Sequence, residues 1–402
     1  MQLDKNLLKG SIMLLVGFGL YNFFNFLFQF VMARMLTISD YGVLATIFSM
    51  FYMLTVFIEG TQTVIAKVAS TNKDDGSLKN ILRRSFKKSI KIACWLFVAY
   101  TVISFFILRH ALKIDYGLLI LSGIAIFTSL TLPINRGLMQ GRKRFFALST
   151  NLIIESVVKL VLGIVFVTAG FAVYGAVAGT LLGAFVALAF SFTAFKDVSG
   201  SKESNAETKQ IYSYSVPTFF ITAVIIAFYS VDVLIARFLF SPEVAGEYAI
   251  ASVLAKIVFW GTQPISRAMF PISAENNHKD PEKKSHILLN ACIFLGLLLI
   301  IAIFLFYFFS PHLVSLFSGK NIPGSVEIVV YLVIGMAALS FTNLFLLYKL
   351  SVHRIKGYMI TALFLAVEIA ILFIFSNNLM EYSIGFMVAS FILLVGSLLS
   401  VK

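Results

Sequence analysis

Ionisable side chains interrupt the long apolar segments of this sequence at six places. They are Glu59, Glu155, Lys159, Asp232, Lys256 and Glu368. An ionisable group at the centre of a lipid bilayer costs roughly 2.5–3.5 kcal/mol on insertion scales, so such groups usually pair with each other or face a water-filled cavity. We therefore treat these six residues as candidate binding residues for a charged ligand.

The spacing of these residues separates a local pair from isolated charges. Glu155 and Lys159 are four residues apart with the acid first, which is the favourable pairing on a helix. They predict either a self-neutralising structural pair or part of a cavity wall. Lys256 has no acid three or four residues away, so we expect its partner on another helix or on a phosphate-bearing ligand. Glu368 also lacks a local base, and we expect it to pair with Lys159 or Lys256.

Two further acids leave structural and functional interpretations open. Asp232 precedes Arg237 by five residues, which is a poor helical spacing, so we expect its partner on another helix. That contact is either a structural lock or a functional site. Glu59 lies beside Gly60 toward the predicted cytoplasmic end of its segment, where it would line an inner vestibule.

A short motif that contains an arginine occurs twice. Residues 33–42 read ARMLTISDYG and residues 236–246 read ARFLFSPEVAG, each at the end of a long apolar segment. The guanidinium fork of Arg34 and of Arg237 suits a phosphate or an acidic sugar better than lysine would. The alternative is that both arginines extend to lipid headgroups.

The elements that position these residues are predicted from composition. The 402 residues are 59% hydrophobic and only 13% charged, with a mean hydropathy of +0.93. Soluble proteins have about a quarter of their residues charged, so most of this surface must face lipid. The sequence predicts an all-α integral membrane protein.

Segments of about 20 apolar residues are long enough to span a bilayer. We predict twelve spans, at 11–33, 41–66, 90–108, 116–135, 148–168, 171–195, 214–236, 246–270, 288–310, 327–349, 358–376 and 382–400. The first segment lacks a small-x-small cleavage site and is expected to be retained. Most of the 32 Lys and Arg residues fall in alternate loops, which predicts a multi-pass protein of the cell membrane with both termini cytoplasmic.

The net charge of +13 comes from these short loops, which favours membrane topology over nucleic-acid binding. The loop at residues 79–91, KNILRRSFKKSIK, alternates bases with apolar residues and predicts an interfacial helix that binds anionic lipids. An alternative is that it gathers pyrophosphate headgroups. Cys94 and Cys292 lie inside apolar segments and are expected to be packing residues. No metal site, cofactor or phosphate-binding glycine loop is predicted.

The polar segment near residues 196–213 divides the chain into two halves. We predict a six-helix lobe at 1–195, a cytoplasmic linker at 196–213 and a second six-helix lobe at 214–402. The two motifs, and weaker echoes such as Glu155 with Glu368, predict a parallel 6+6 repeat around a central cavity. Pro217, near the start of the seventh span, is a candidate hinge.

Three stretches carry a family resemblance. They are ARMLTISDYGVLATIF at 33–48, QGRKRF at 140–145 and PTFFITAVIIAFYSVDVLIARFLFSPEVAGEYAIA at 217–251. These resemble the oligosaccharide (Wzx-type) flippases of the multidrug/oligosaccharidyl-lipid/polysaccharide exporter superfamily.

The resemblance implies a MATE-like fold and a flippase that moves a polyprenyl-pyrophosphate-linked oligosaccharide to the outer leaflet, for surface polysaccharide or O-antigen biosynthesis. It also implies that polysaccharide polymerases and glycosyltransferases are partners. In the resembled fold, spans one, two, seven and eight line the cleft.

Two other functions stay open. A multidrug or cation antiporter of the same superfamily would need acids to dominate its cleft, and Asp232, Glu59 and Glu368 are such acids. A membrane-embedded glycosyltransferase or polymerase would generally need a large extramembrane loop or an acid cluster. The sequence has neither, so we expect a transporter and no enzymatic activity.

Overall fold

The computed structural model describes residues 5–72, 74–195, 198, 200–204, 216–275, 281–352 and 357–400. Within these ranges the secondary structure is helical, with no strand. Most of the predicted linker, at 196–197, 199 and 205–213, lies outside the described residues.

The helices follow one another with short connections. In chain order they are α1 Lys5–Met35, α2 Ile38–Thr71, α3 Asp75–Ile103, α4 Tyr116–Gly123, α5 Ala125–Gly141, α6 Phe145–Phe166, α7 Ala172–Ser191, α8 Val216–Leu239, α9 Pro242–Glu275, α10 Pro281–Ser318, α11 Pro323–Ser351, α12 Thr361–Ile374 and α13 Leu379–Ser400. A π-type turn at Ser104–Leu108 extends α3, and another at Val167–Phe171 follows α6.

Among the described residues, ten helical stretches are long and apolar enough to cross a membrane, so the chain is a multi-span membrane protein. The count differs from the predicted twelve at two places. The stretch Phe145–Ser191 counts once although it contains α6 and α7, and the apolar helix at Tyr358–Ile374 is shorter than the others. The boundary predicted between the spans 148–168 and 171–195 coincides with a break in the helix at Gly170. Gly170 has a φ of 93°, which a side chain would strain, and α6 and α7 pack closely against each other.

The described chain forms two compact units. Unit 1 comprises residues 1–36 and 54–215, and unit 2 comprises residues 37–53 and 216–402. In unit 1, α6 packs against both α1 and α7, and α5 packs against α3. In unit 2, α9 and α11 are the most buried helices, and α13 packs on α11. The second half of α3 and the long helix α10 expose mostly apolar side chains, as lipid-facing helices do.

Each copy of the repeated motif forms a junction between two helices. In the first copy, Thr37 follows α1 and caps α2, since its Oγ1 accepts a hydrogen bond from the N–H of Asp40 at 3.1 Å and donates one to the carboxylate of Asp40 at 2.7 Å. In the second copy, Ser241 follows α8 and accepts from the N–H of Val244 at 3.4 Å. Short capped turns of this kind end one span and start the next.

The glycines that end the two motif copies meet each other inside unit 2. A Cβ atom added to Gly42 would lie 2.8 Å from the Cα of Gly246, and one added to Gly246 would lie 2.2 Å from the carbonyl oxygen of Ile38. Both distances are shorter than any real Cβ contact. The first turns of α2 and α9 therefore pack backbone against backbone, which requires glycine on each side.

Candidate functional site

A buried ion pair lies at the centre of unit 2. The Nζ atom of Lys256 on α9 is 3.1 Å from Oδ1 of Asp232 on α8, and the two side chains are 1% and 0% exposed. Tyr248 and Ser252 donate hydrogen bonds to Oδ2 of Asp232 at 3.1 and 2.8 Å. The hydroxyl of Tyr382 donates to the backbone carbonyl of Asp232 at 2.6 Å. We call these five residues the Asp232 cluster.

Helix periodicity explains why α9 can satisfy this carboxylate. Tyr248, Ser252 and Lys256 are spaced by four residues, so they lie on one face of α9 and all reach Asp232. The cross-helix partners expected for Asp232 and Lys256 are confirmed, and each is the partner of the other. An ion pair removed from water is costly unless its remaining hydrogen bonds are made, and here both carboxylate oxygens are bonded.

Glu368 on α12 is also fully buried, but its carboxyl oxygens make no hydrogen bond to any described residue. It interacts electrostatically with both Asp232 and Lys256. Around this ion pair, unit 2 therefore buries two acids, Asp232 and Glu368, beside one base, Lys256. A buried polar group without a partner is expensive, so Glu368 is the member of this set best suited to take up a proton or a cation.

Unit 1 contains a second buried polar network, around Glu155. Glu155 forms an ion pair with Arg136, whose Nε donates to Oδ1 of Asn151 at 2.8 Å. Lys159 lies over the ring of Phe28 at 4.4 Å and donates to Asn25 of α1 at 2.8 Å. We call Arg136, Glu155 and Lys159 the Arg136 network.

The base that pairs with Glu155 differs from the one that helical spacing suggested. Arg136 lies near the end of α5, where it is only 6% exposed, whereas the sequence placed it in a cytoplasmic loop. The asparagine at 135 and the proline at 133 broke the apolar pattern just before it. The sequence does carry a signal for Arg136, because the apolar residues Leu138 and Met139 follow it and α5 continues to Gly141.

The two arginines of the repeated motif have different environments. Arg34, in the last turn of α1, is exposed and its guanidinium lies 4.5 Å from the ring centroid of Phe30. Arg237, in the last turn of α8, is 3% exposed and donates to the carbonyl of Pro242 at 3.4 Å. Of these two arginines, Arg34 is therefore the one whose guanidinium is accessible in this structure. Whether either arginine binds a ligand stays a prediction.

The remaining candidates lie at helix surfaces and ends. Glu59 is exposed on α2, on the same face as exposed Thr63 and Lys67. Three polar side chains at four-residue intervals would be costly against lipid, which favours a water-lined position for this face. Pro217 is the second residue of α8 as described, where a proline removes no helical hydrogen bond. Its role as a hinge stays a prediction.

No group of three or more histidine, cysteine or acidic residues that could hold a metal ion is found among the described residues.

Comparison with known proteins adds a sequence family and a fold. The sequence profile of a family described as "Polysaccharide biosynthesis protein" matches residues 31–327. None of the curated proteins matches the sequence closely enough to count as a relative.

Solved structures of membrane transporters share the fold. One is a MATE transporter in complex with MaD3S, with a TM-score of 0.66 at 15% identity. Another is an outward-facing multidrug resistance MATE family transporter of the MOP superfamily, with a TM-score of 0.64 at 15% identity. A third is a MOP superfamily transporter from Pyrococcus furiosus, described as having a binding pocket of reverse polarity, with a TM-score of 0.60 at 15% identity. Each alignment covers 98% of this chain and 94% of the other.

Proposed function

Because the chain belongs to the polysaccharide biosynthesis protein family, we propose that it is a flippase that carries a polyprenyl-pyrophosphate-linked oligosaccharide from the cytoplasmic to the outer leaflet of the cell membrane. The observation that carries this proposal is the family match over residues 31–327 of a multi-span helical protein. The fold shared with solved transporters supports movement of a ligand by alternating access. The product would serve surface polysaccharide biosynthesis, together with glycosyltransferases and a polymerase.

We propose a topology of twelve spans in two six-helix lobes with both termini in the cytoplasm. The close packing of α6 against α7 supports counting them as two spans, and the apolar helix α12 supplies a further one. The distribution of Lys and Arg among the loops supports the orientation.

The Arg136 network supports recognition of an anionic headgroup. It combines two bases, Arg136 and Lys159, with one acid, Glu155, so its formal charge is positive. An arginine fork and an ammonium group close together suit a pyrophosphate. Lys256 is enclosed with Asp232, which already balances its charge. Arg136 and Lys159 are also buried, each 6% exposed, but their network keeps one base in excess of its single acid. We therefore assign the headgroup to the Arg136 network in preference to Lys256.

The Asp232 cluster together with Glu368 supports coupling to a proton or cation. The two acids outnumber the single base, and Glu368 has no hydrogen-bond partner among the described residues. The same observation favours a second candidate function, a multidrug or cation antiporter. Acidic groups that take up a cation on one side of the membrane and release it on the other are common to both proposals.

Deletion of the gene in its own host distinguishes these functions. For a flippase we expect loss of surface polysaccharide and accumulation of lipid-linked oligosaccharide, with unchanged sensitivity to cationic drugs. Complementation with Lys159→Met is expected to restore little polysaccharide, whereas the control Lys143→Met, at an exposed position, is expected to restore it fully. If the deletion strain instead makes normal surface polysaccharide and becomes more sensitive to cationic drugs, the protein is an antiporter and not a flippase.

A further inference from the structure

The first half of α3 carries bases on one exposed face. They are Arg84, Lys87, Lys88 and Lys91. Their spacing of three and four residues places them in a single stripe along the helix. No carboxylate of the described residues pairs with any of these four. The neighbouring Arg83 is different, because it forms an ion pair with Glu203 at 2.9 Å. We call the four residues the α3 basic face.

Packing of the opposite face fixes the direction in which this basic face points. Leu78, Leu82 and Ala93 are buried on the other side of α3. Phe86 contacts Phe192 with ring centroids 5.5 Å apart. These contacts prevent the helix from rotating its bases inward, so the four side chains stay directed away from unit 1.

The same helix continues directly into an apolar, exposed surface. Ile92, Leu96 and Val98 are exposed, and Trp95, one turn after Lys91, is 70% exposed. Tryptophan is enriched where a membrane helix meets the headgroup layer. The α3 basic face therefore lies next to the level at which lipid phosphates occur, and its neighbouring surface suits acyl chains.

We propose that the α3 basic face binds the phosphate groups of anionic phospholipids, with their acyl chains against the surface around Trp95. A soluble phosphate compound would use the bases but leave the apolar surface unexplained, whereas a phospholipid fits both. Each Lys or Arg near an anionic membrane surface strengthens attraction about fivefold. The proposal does not depend on the flippase activity, since it needs only a helix that spans a membrane.

The two tryptophans of the chain allow a direct measurement at this site. The variant Trp260→Phe leaves Trp95 as the single tryptophan reporter. We would reconstitute this protein in phosphatidylcholine bilayers that contain either brominated phosphatidylglycerol or brominated phosphatidylcholine, and measure quenching of Trp95. The expected result is that phosphatidylglycerol is preferred at Trp95 by at least about fivefold. No preference would overturn the proposal.

Matched variants test whether the bases cause the preference. Lys88→Gln with Lys91→Gln is expected to reduce the preference toward unity. Arg109→Gln with Lys113→Gln, which removes the same charge from the other end of the long helical stretch, is expected to leave it unchanged. Equal losses in both variants would show a general charge effect and overturn the proposal.

Two further measurements keep the proposal testable if the variants fold poorly. Raising the ionic strength from about 0.1 M to about 1 M shortens the screening length from about 10 Å to about 3 Å, so the preference of the parent protein is expected to fall. A salt-independent preference would contradict a charge-based site. A different result would be no preference for phosphatidylglycerol over phosphatidylcholine, together with displacement of the brominated lipid from Trp95 by equimolar prenyl pyrophosphate. That result would make this face a substrate site and overturn the proposal.

Discussion

Replacement of Lys256 by methionine tests the buried ion pair of unit 2. The substitution keeps the length of the side chain but leaves Asp232 buried without its cation. Removing one partner of a buried pair costs about 3–5 kcal/mol. Because Tyr248 and Ser252 still donate to the carboxylate, we expect the lower end of that range, about 3 kcal/mol. For a unit of about 200 residues, this corresponds to a melting temperature lower by roughly 6–12 °C.

Thermal melting of the purified protein in detergent, followed by tryptophan fluorescence, measures this effect. The double variant Asp232→Asn with Lys256→Met removes both charges, so we expect it to regain most of the lost stability. Lys67→Met, at an exposed position on α2, is the matched control and is expected to melt within about 1 °C of the parent. A Lys256→Met protein that melts like the parent would refute the reasoning. A double variant as unstable as the single one would do the same.

Measuring the surface polysaccharide that each variant restores in the deletion strain distinguishes an effect on stability from an effect on transport. If the Lys256 ammonium binds a phosphate-bearing ligand, its loss is expected to abolish polysaccharide at normal protein levels. If Lys256 serves only to balance Asp232, the double variant restores polysaccharide along with stability. A stable double variant that makes no polysaccharide would show that the charges themselves act in transport.

Three further predictions concern other parts of the molecule. Arg136→Gln leaves the half-buried Glu155 without its base and is expected to lower the melting temperature, and adding Glu155→Gln is expected to restore it. Gly42→Ala is expected to lower the free energy of unfolding by about 1–3 kcal/mol, because its Cβ meets the backbone of α9. In the same melting assay, Gly19→Ala is expected to be neutral or stabilising, because a Cβ there has no atom within 4 Å. Asp115 caps α4, and Asp115→Ala is expected to cost about 1 kcal/mol. The hydrogen bond from the Tyr174 hydroxyl holds the pKa of Asp115 below its ordinary value. The loss is therefore expected in full at neutral pH and is expected to shrink as the pH falls from about 4 through the lowered pKa of the folded state, where the carboxylate becomes protonated.

Sequence reasoning predicted that the isolated charges of unit 2 would be paired, but not with which residue. Helical spacing showed that Lys256 and Asp232 lacked partners on their own helices, so a cross-helix contact had to follow. The identity of that contact depends on how α8 and α9 pack, and periodicity within one helix carries no information about that. Glu368 was expected to pair with Lys159 or Lys256 but makes no hydrogen bond to any described residue, and this difference has the same explanation.

In unit 1, the prediction failed for Arg136 because hydropathy did not locate the end of its helix. The apolar segment that precedes Arg136 ended at residue 135 by hydropathy, so the arginine was assigned to a loop. The structure continues α5 to Gly141 and buries the arginine against Glu155 and Asn151. Hydropathy detects side chains that lipid tolerates, whereas a helix also continues through polar residues whose partners are inside the protein.

The repeated motif was recognised from its arginines, but the structure gives its glycines the closest contact. The turn and the cap at each copy are local features, since Thr37 and Ser241 are good capping residues. The approach of Gly42 to Gly246 links residues far apart in the chain, and no local rule predicts it.

The composition of the Asp232 cluster has an electrical consequence. The transmembrane voltage performs work on a moving charge, about 2.3 kcal/mol per elementary charge for each 100 mV. Asp232 and Lys256 carry opposite charges 3.1 Å apart, so as a pair they experience almost no net force from that field. Glu368 is the remaining ionisable carboxyl group beside them. A voltage across the bilayer therefore acts on this part of unit 2 mainly through the protonation state of Glu368.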